Sequence, residues 1–201
     1  LRRAVLAFAR QRGRGLAYVY WPAYDGLCHA KGCAHRVTTR HLEAVDRTLG
    51  RLAAQLRGTG TVLLVTADHG LVDVPPARHL ELRDVPGFYD CLAVLPSGDA
   101  REVSCFVRPG RVREFLALVR RRLAGACVCV AGAELIRLGA YGPGRPHPAL
   151  AARVGDYVLL ARESCAFSAT PPGFTGRAHI GQHGGMSAEE IRIPLYVVSD
   201  P

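Results

Sequence analysis

Three stretches of nearly unbroken apolar residues stand out along the chain: Leu16 to Trp21 (LAYVYW), Thr61 to Thr66 (TVLLVT) and Ile191 to Val198 (IRIPLYVV). Each reads as a buried parallel strand, because a strand covered on both faces has no reason to alternate apolar with polar residues. Between the first two, Leu42, Val45, Leu49, Leu52 and Leu56 recur at steps of three and four with charged residues between them. That spacing predicts a long amphipathic helix, ended by Gly58 and Gly60. Strand, long helix and strand make a βαβ unit, which is right-handed in parallel sheets. The opening LRRAVLAFARQRGRG predicts a further amphipathic helix, since its apolar run is too short for a signal peptide and lacks a small-residue cleavage site.

The texture changes between about Pro75 and Thr175. Pro75-Pro76 opens this stretch and Pro171-Pro172-Gly173 closes it. Inside, shorter strands are predicted at Cys91–Leu95, Val103–Val107, Cys127–Val130 and Tyr157–Leu160, with helices from Arg111 to Leu123 and from Ala133 to Leu138. The organisation expected is an α/β core from residues 1–75 and 176–201, with a smaller α+β lobe, residues 76–175, inserted into it. There is no internal repeat.

The 201 residues are 49% apolar, enough to bury a core, and no apolar run approaches the ~20 residues needed to span a bilayer. A formal charge of +9 invites a nucleic-acid reading, but of 26 basic residues only Lys31 is a lysine, and the arginines are dispersed. The Arg120-Arg121-Arg122 run reads as a solvated helix face. No specific nucleic-acid binding is expected, although a basic field draws in small anions. Seven cysteines with no CxxC pair read as small buried thiols and lean towards a reducing, cytoplasmic compartment. The chain does not begin with Met, so its natural start is expected upstream.

Three constellations carry chemistry. Asp25-Gly-Leu-Cys-His29 follows the first predicted strand, where ligand crevices form in open parallel sheets. Asp25 and His29 converge on one ion if the loop coils into a helical turn; taken alone, the pair reads first as a turn cap and a surface histidine. Asp68-His69-Gly70 follows the second strand and offers adjacent carboxylate and imidazole ligands of the kind zinc takes. His179-Ile-Gly-Gln-His183-Gly-Gly precedes the last strand, and the three glycines around His183 suggest backbone packed against something bulky or charged. His183 is the ligand candidate, and His179 a substrate contact, a ligand-supporting group or loop surface. Ser187 and Glu190 have capping-box spacing, which starts a helical turn there. Asp73 is a candidate to orient a ligand. Cys28 reads as packing, His35, His41 and His79 as surface, and His147 as structural or exposed.

In this order and spacing, YVYWPAYDGLCHAKG, TVLLVTADHGLVDVP and HIGQHGGMSAEEIRIPLYV, with RVGDYVLLARESCAF from the inserted stretch, resemble the type I phosphodiesterase/nucleotide pyrophosphatase family of the alkaline phosphatase superfamily. The resemblance implies an alkaline phosphatase-like fold: a doubly wound, mostly parallel sheet. It also implies two divalent ions, zinc by preference, with Asp25, His29 and His183 on one and Asp68 and His69 supplying part of the other. The implied activity is hydrolysis of a small phosphoester or nucleotide. The family's Thr or Ser nucleophile and one further Asp lie upstream of the strand that here begins at Leu16. No Ser or Thr precedes Thr38, and Thr38 and Thr39 sit at a helix start, so the nucleophile is expected to be absent from this chain and the isolated chain inactive. The other readings are a non-catalytic metal- or anion-binding domain, or a phosphomutase or sulfatase. A sheet lacking its first strands is also expected to expose an apolar edge.

Overall fold

The computed structural model describes residues 2–11, 13–171, 173–174 and 178–199. Pro172 and Thr175, at the closing edge of the predicted lobe, lie outside the described residues, as do Leu1 and Arg12 in the opening segment. In chain order the helices are α1 (Arg2–Ala9), α2 (Ala23–Lys31), α3 (Arg36–Leu56), α4 (Val112–Arg122), α5 (Gly132–Arg137), α6 (Ala151–Val154) and α7 (Ala188–Ile191). The strands are β1 (Leu63–Thr66), β2 (Val72–Asp73), β3 (His79–Glu81), β4 (Ser97–Asp99), β5 (Glu102–Cys105), β6 (Cys127–Ala131), β7 (Tyr157–Ala161), β8 (Ala166–Ser168), β9 (Gly181–Gln182) and β10 (Leu195–Val198).

The main core lies in the middle of the chain. Strands β4-β5-β7-β6 form an antiparallel sheet in that order, with Val103 opposite Leu159 and Cys129 opposite the same Leu159 on its other side. Helix α4 turns Phe115, Leu118 and Val119 into the core, the i, i+3, i+4 stripe of an amphipathic helix. They meet Phe88, Leu82, Val103, Leu123 and Leu159, all buried. The predicted strands at 103–107, 127–130 and 157–160 and both predicted helices are found here with shifted ends. The strand expected at Cys91–Leu95 is not: Tyr89–Cys91 is a 3-10 turn, and Leu92 makes a single bridge to Val107. Phe88 and Cys91 are wholly buried, and the turn is what brings both inward.

The three apolar runs depart further from expectation. Residues 16–21 form no hydrogen-bonded strand, and Leu16, Tyr18 and Tyr20 are exposed, so the βαβ unit is not formed as a ladder. β1 and β10 pair with each other, but antiparallel, from Leu63 opposite Val198 to Thr66 opposite Leu195. Neither is buried: β1 alternates between half-buried and exposed, and β10 is exposed throughout. An apolar run specifies a strand that wants cover on two faces, and among the described residues β1 and β10 have no other strand beside them. Residues 191–194 do not join β10, because Ile191 closes α7 and Pro194 follows. The one parallel pairing among the described residues is β3 with β8.

Helix α3 begins earlier than its leucine spacing requires, because the His35 ring accepts the Val37 amide (3.2 Å) and caps the first turn. Its apolar face ends with Leu52 and Leu56 buried, and α1 packs along it. The site is assembled by a short junction: β2 pairs antiparallel with β9, and the Ile180 amide donates to the His29 carbonyl (2.9 Å). That brings the segment following β9 alongside both α2 and the loop between β1 and β2. No helix among the described residues is long and apolar enough to cross a membrane.

Candidate metal centre

Asp25 and His29 sit on α2, four residues apart and therefore on one face. Asp25 lies in the first turn, where the helix dipole favours a carboxylate, and His29 in the last. Asp25 Oδ2 is 3.3 Å from His29 Nε2. The other His29 nitrogen, Nδ1, is 2.8 Å from the Gly181 carbonyl, which fixes the tautomer with its proton on Nδ1 and leaves Nε2 as the ligand atom.

His183 completes the group. Its ring centroid is 5.2 Å from that of His29, and ligand atoms of Asp25, His29 and His183 all lie within 4.8 Å of one another. All three are half-buried. Burial, helped by neighbouring His69, holds the His183 imidazole below its ordinary value and so favours the neutral ring, the form that offers a lone pair to a cation. Asp25 Oδ1 is buried and has no hydrogen-bond partner among the described residues. An orphaned buried carboxylate oxygen is costly unless a cation satisfies it, so the donor set fits a divalent ion.

Asp68 and His69 stand next to this group without joining it. The His69 ring stacks on His183, centroids 3.8 Å apart and planes 19° from parallel. Asp68 is exposed; its Oδ1 accepts the His69 amide (3.1 Å) and lies 3.8 Å from His69 Nε2. His179 lies over His29, ring centroids 4.6 Å apart. Asp73 accepts the amides of Cys33 (2.6 Å) and Ala34 (3.4 Å), so it ties down the chain just past α2.

The remaining candidates take ordinary places. Cys28 is fully buried, and burial pushes its thiol up, away from the thiolate a metal needs. His41 lies half-buried at the surface, where it accepts the Trp21 indole N–H (3.0 Å). His35 is exposed, as its sequence context predicts, and its ring caps α3. His79 lies in β3 rather than in a loop, because its backbone pairs with Ala166. His147 is exposed. The Thr38 hydroxyl is buried and donates to the Gly32 carbonyl (2.8 Å), so it serves the turn before α3.

Asp99 and Arg101 carried no signal in the sequence. Asp99, at the end of β4, places Oδ2 3.5 Å from His183 Nδ1. Gly184, with φ +95, lets the backbone pass so close that a Cβ there would sit 2.7 Å from the Asp99 Cβ. Arg101, two residues on, is fully buried against Glu190. A cleft of about 460 Å³ adjoins, lined by Asp99, Glu102, Leu135, Tyr141, Leu160 and Met186. In it the Tyr141 hydroxyl donates to Glu102 (3.1 Å), whose carboxyl burial pushes up.

Comparison of the sequence with curated proteins gives no match. Among solved structures, the chain superposes on murine ectonucleotide pyrophosphatase/phosphodiesterase 5 with a TM-score of 0.74 at 17% identity, covering 100% of this chain and 51% of that one. The human counterpart gives 0.73 at 15% identity, covering 98% and 52%. Phosphonoacetate hydrolase from Sinorhizobium meliloti 1021, in complex with phosphonoformate, gives 0.63 at 20% identity, covering 88% and 44%. The chain therefore shares the mixed α/β fold of these enzymes and spans about half the length of each. A family model described as type I phosphodiesterase / nucleotide pyrophosphatase matches residues 2–186, and the chain belongs to that family.

Proposed function

We propose that the protein is a metal-dependent phosphoester hydrolase of the phosphodiesterase/nucleotide pyrophosphatase kind, in which Asp25, His29 and His183 hold one zinc ion and Asp68 and His69 contribute to a second. The observation that carries this reading is the convergence of His183 with Asp25 and His29, which lie far earlier in the chain, to within 4.8 Å. Mixed carboxylate and imidazole donors favour zinc over magnesium. Bound there, zinc would supply positive charge to the ester phosphate and lower the pKa of an attacking oxygen.

The chain's own groups do the rest. The Gly181 carbonyl orients His29, and Asp99 faces the outer nitrogen of His183. The cleft walled by Leu135, Leu160 and Met186 is room for the organic part of the ester. A nucleotide is one candidate for it, as the murine relative is also solved in complex with AMP. On this reading the attacking Thr or Ser and one further carboxylate come from outside these 201 residues. Residues 1–75 and 176–201 form the metal-binding core, and 76–175 an inserted lobe. Seven free thiols support a cytoplasmic, reducing location.

Metal analysis of the purified protein tests the site directly. Bound zinc is expected in the native chain, with its loss in Asp25→Ala and His183→Ala. A native chain that takes up no zinc would sink the proposal. Turnover of an aryl phosphodiester by these residues alone would keep the site and overturn the placing of the nucleophile elsewhere. Zinc binding without turnover, even after the chain is extended upstream, would favour a non-catalytic metal-binding domain.

A further inference from the structure

His183 rides on a loop with little stiffness of its own, since Gly184 and Gly185 follow it directly. What fixes the loop is a buried ion pair from outside the ligand motifs. Arg101, at the turn between β4 and β5, donates from Nε to Glu190 Oε1 (2.6 Å) and from Nη2 to Glu190 Oε2 (2.9 Å). This two-pronged arrangement fixes orientation as well as distance. The third nitrogen, Nη1, donates to the Cys165 carbonyl (2.5 Å), which anchors the guanidinium in the four-stranded-sheet region.

Glu190 passes that restraint on to both ligand loops. Its Oε1 also accepts the Gly185 amide (2.8 Å), two residues from His183, and its Oε2 the Ser187 amide (3.3 Å). Its backbone carbonyl accepts the Gly70 amide (2.7 Å), adjacent to His69. Both glycines are there because nothing larger fits. A Cβ on Gly185 would lie 2.7 Å from Glu190 Oε2, and one on Gly70 would lie 1.8 Å from the Glu189 carbonyl oxygen. One residue therefore grips the chain beside His183 and beside His69, and the two rings stack 3.8 Å apart. A second route runs through Asp99, on the same hairpin, 3.5 Å from His183.

We infer that Arg101 and Glu190 are positioning residues, a buried clamp by which the β4–β5 hairpin sets the placement of His183 and His69 for metal binding. A buried ion pair is a weak device for stability, because desolvation offsets most of its attraction, so geometry is the better account of its presence. The inference rests on the metal-centre reading above. It also makes the middle of the chain part of the site's scaffold rather than only a wall of the cleft.

The test compares native protein with Arg101→Met and with the double variant Arg101→Met/Glu190→Met, which leaves no unpaired charge. Two readouts are needed. In metal-free protein, the ring-proton resonances of His69 and His183 report the stack by their mutual ring-current shifts. Zinc affinity is measured by competition with a chelator. The clamp predicts that both variants lose the ring-current shifts and bind zinc at least about tenfold more weakly, as when partners of metal ligands are removed elsewhere. A folded double variant with the stack and zinc affinity intact would overturn the inference. So would unfolding of both variants, because the pair would then be holding the fold and not the rings. If native protein takes no zinc but the resonances still collapse on substitution, the clamp stands and the metal-centre reading falls.

Discussion

Two β structures in this molecule both carry strongly apolar strands and are opposite in circumstance. In the four-stranded sheet, Val103, Val158 and Leu159 are at most 3% exposed; α4 and the turns around Phe88 cover Val103 and Leu159, and Val158 packs with Leu135 of α5 and Val154 of α6. In the β1–β10 ribbon, Leu64, Leu195 and Tyr196 are 62%, 67% and 64% exposed. Apolar residues specify a strand in both cases, but burial needs a second layer, and only the sheet has one among the described residues. The same apolar residue is therefore worth a few kcal/mol in one region and little in the other. The loops that carry His69 and His183 are braced from the covered side, through Arg101 and Glu190.

The largest effect expected from that contrast follows from uncharging the brace. Burial alone would raise the Glu190 carboxyl, but the Arg101 guanidinium, the Gly185 amide and Ser187 outweigh it and hold the group below its ordinary 4.5. The folded state then binds fewer protons than the unfolded state between the two values. The contribution is fully present above about pH 4.5 and disappears as pH falls through the lower, folded value. Urea unfolding across acidic pH should show this slope in native protein and a flatter one in Glu190→Gln. Breaking one side of the pair at neutral pH should cost about 3–5 kcal/mol, since the partner charge is left buried and alone. Equal slopes in the two proteins would place the acid sensitivity elsewhere.

A second, slightly smaller effect sharpens the comparison of the two β structures. Leu159→Ala opens a cavity at a wholly buried position facing both Val103 and Cys129, and should cost about 2–5 kcal/mol. Leu64→Ala, in the exposed ribbon, should change stability by less than about 0.5 kcal/mol. Urea midpoints for the two variants decide it. A comparable loss at Leu64 would mean that the ribbon is covered in solution.

These two regions also explain what could and could not be read from the sequence. Asp25 and His29 stood out only in the company of the other two motifs, because the sequence left open whether their loop coils into a helical turn; α2 supplies that turn. His69 and His183 were legible as ionisable residues set beside glycines at strand ends. The central sheet was legible in three of its strands, and α4 from its apolar stripe, because local periodicity and tertiary cover agree there. Asp99 and Arg101 were not, because they reach the site by a hairpin whose register depends on β7, nearly sixty residues later in the chain. An arginine in Ser-Gly-Asp-Ala-Arg looks like any solvated turn residue until Glu190 is known to lie against it. The strand at 16–21 and the burial of β1 and β10 were misjudged for one physical reason. A continuous apolar run reports what a strand would need, not whether a neighbouring strand and a covering layer are there to meet the need.

The smallest expected change in stability belongs to the ribbon itself, where the readout of interest is association. Leu195, Tyr196 and Val197 present consecutive exposed apolar side chains on a strand whose outer edge has no partner among the described residues, the arrangement that pairs with other chains. Tyr196→Thr replaces one strand-favouring residue by another opposite Val65 and removes an aromatic ring from the surface. Unfolding stability should move by less than about 0.5 kcal/mol, because little burial is lost. The concentration at which the protein begins to aggregate, followed by light scattering, should rise. Leu82→Ala is the matched control from the covered region, since Leu82 is wholly buried. It should lower stability and, by populating partly unfolded chains, lower that concentration instead. If both substitutions shift aggregation in the same direction, association follows global unfolding, and the exposed ribbon is not where chains meet.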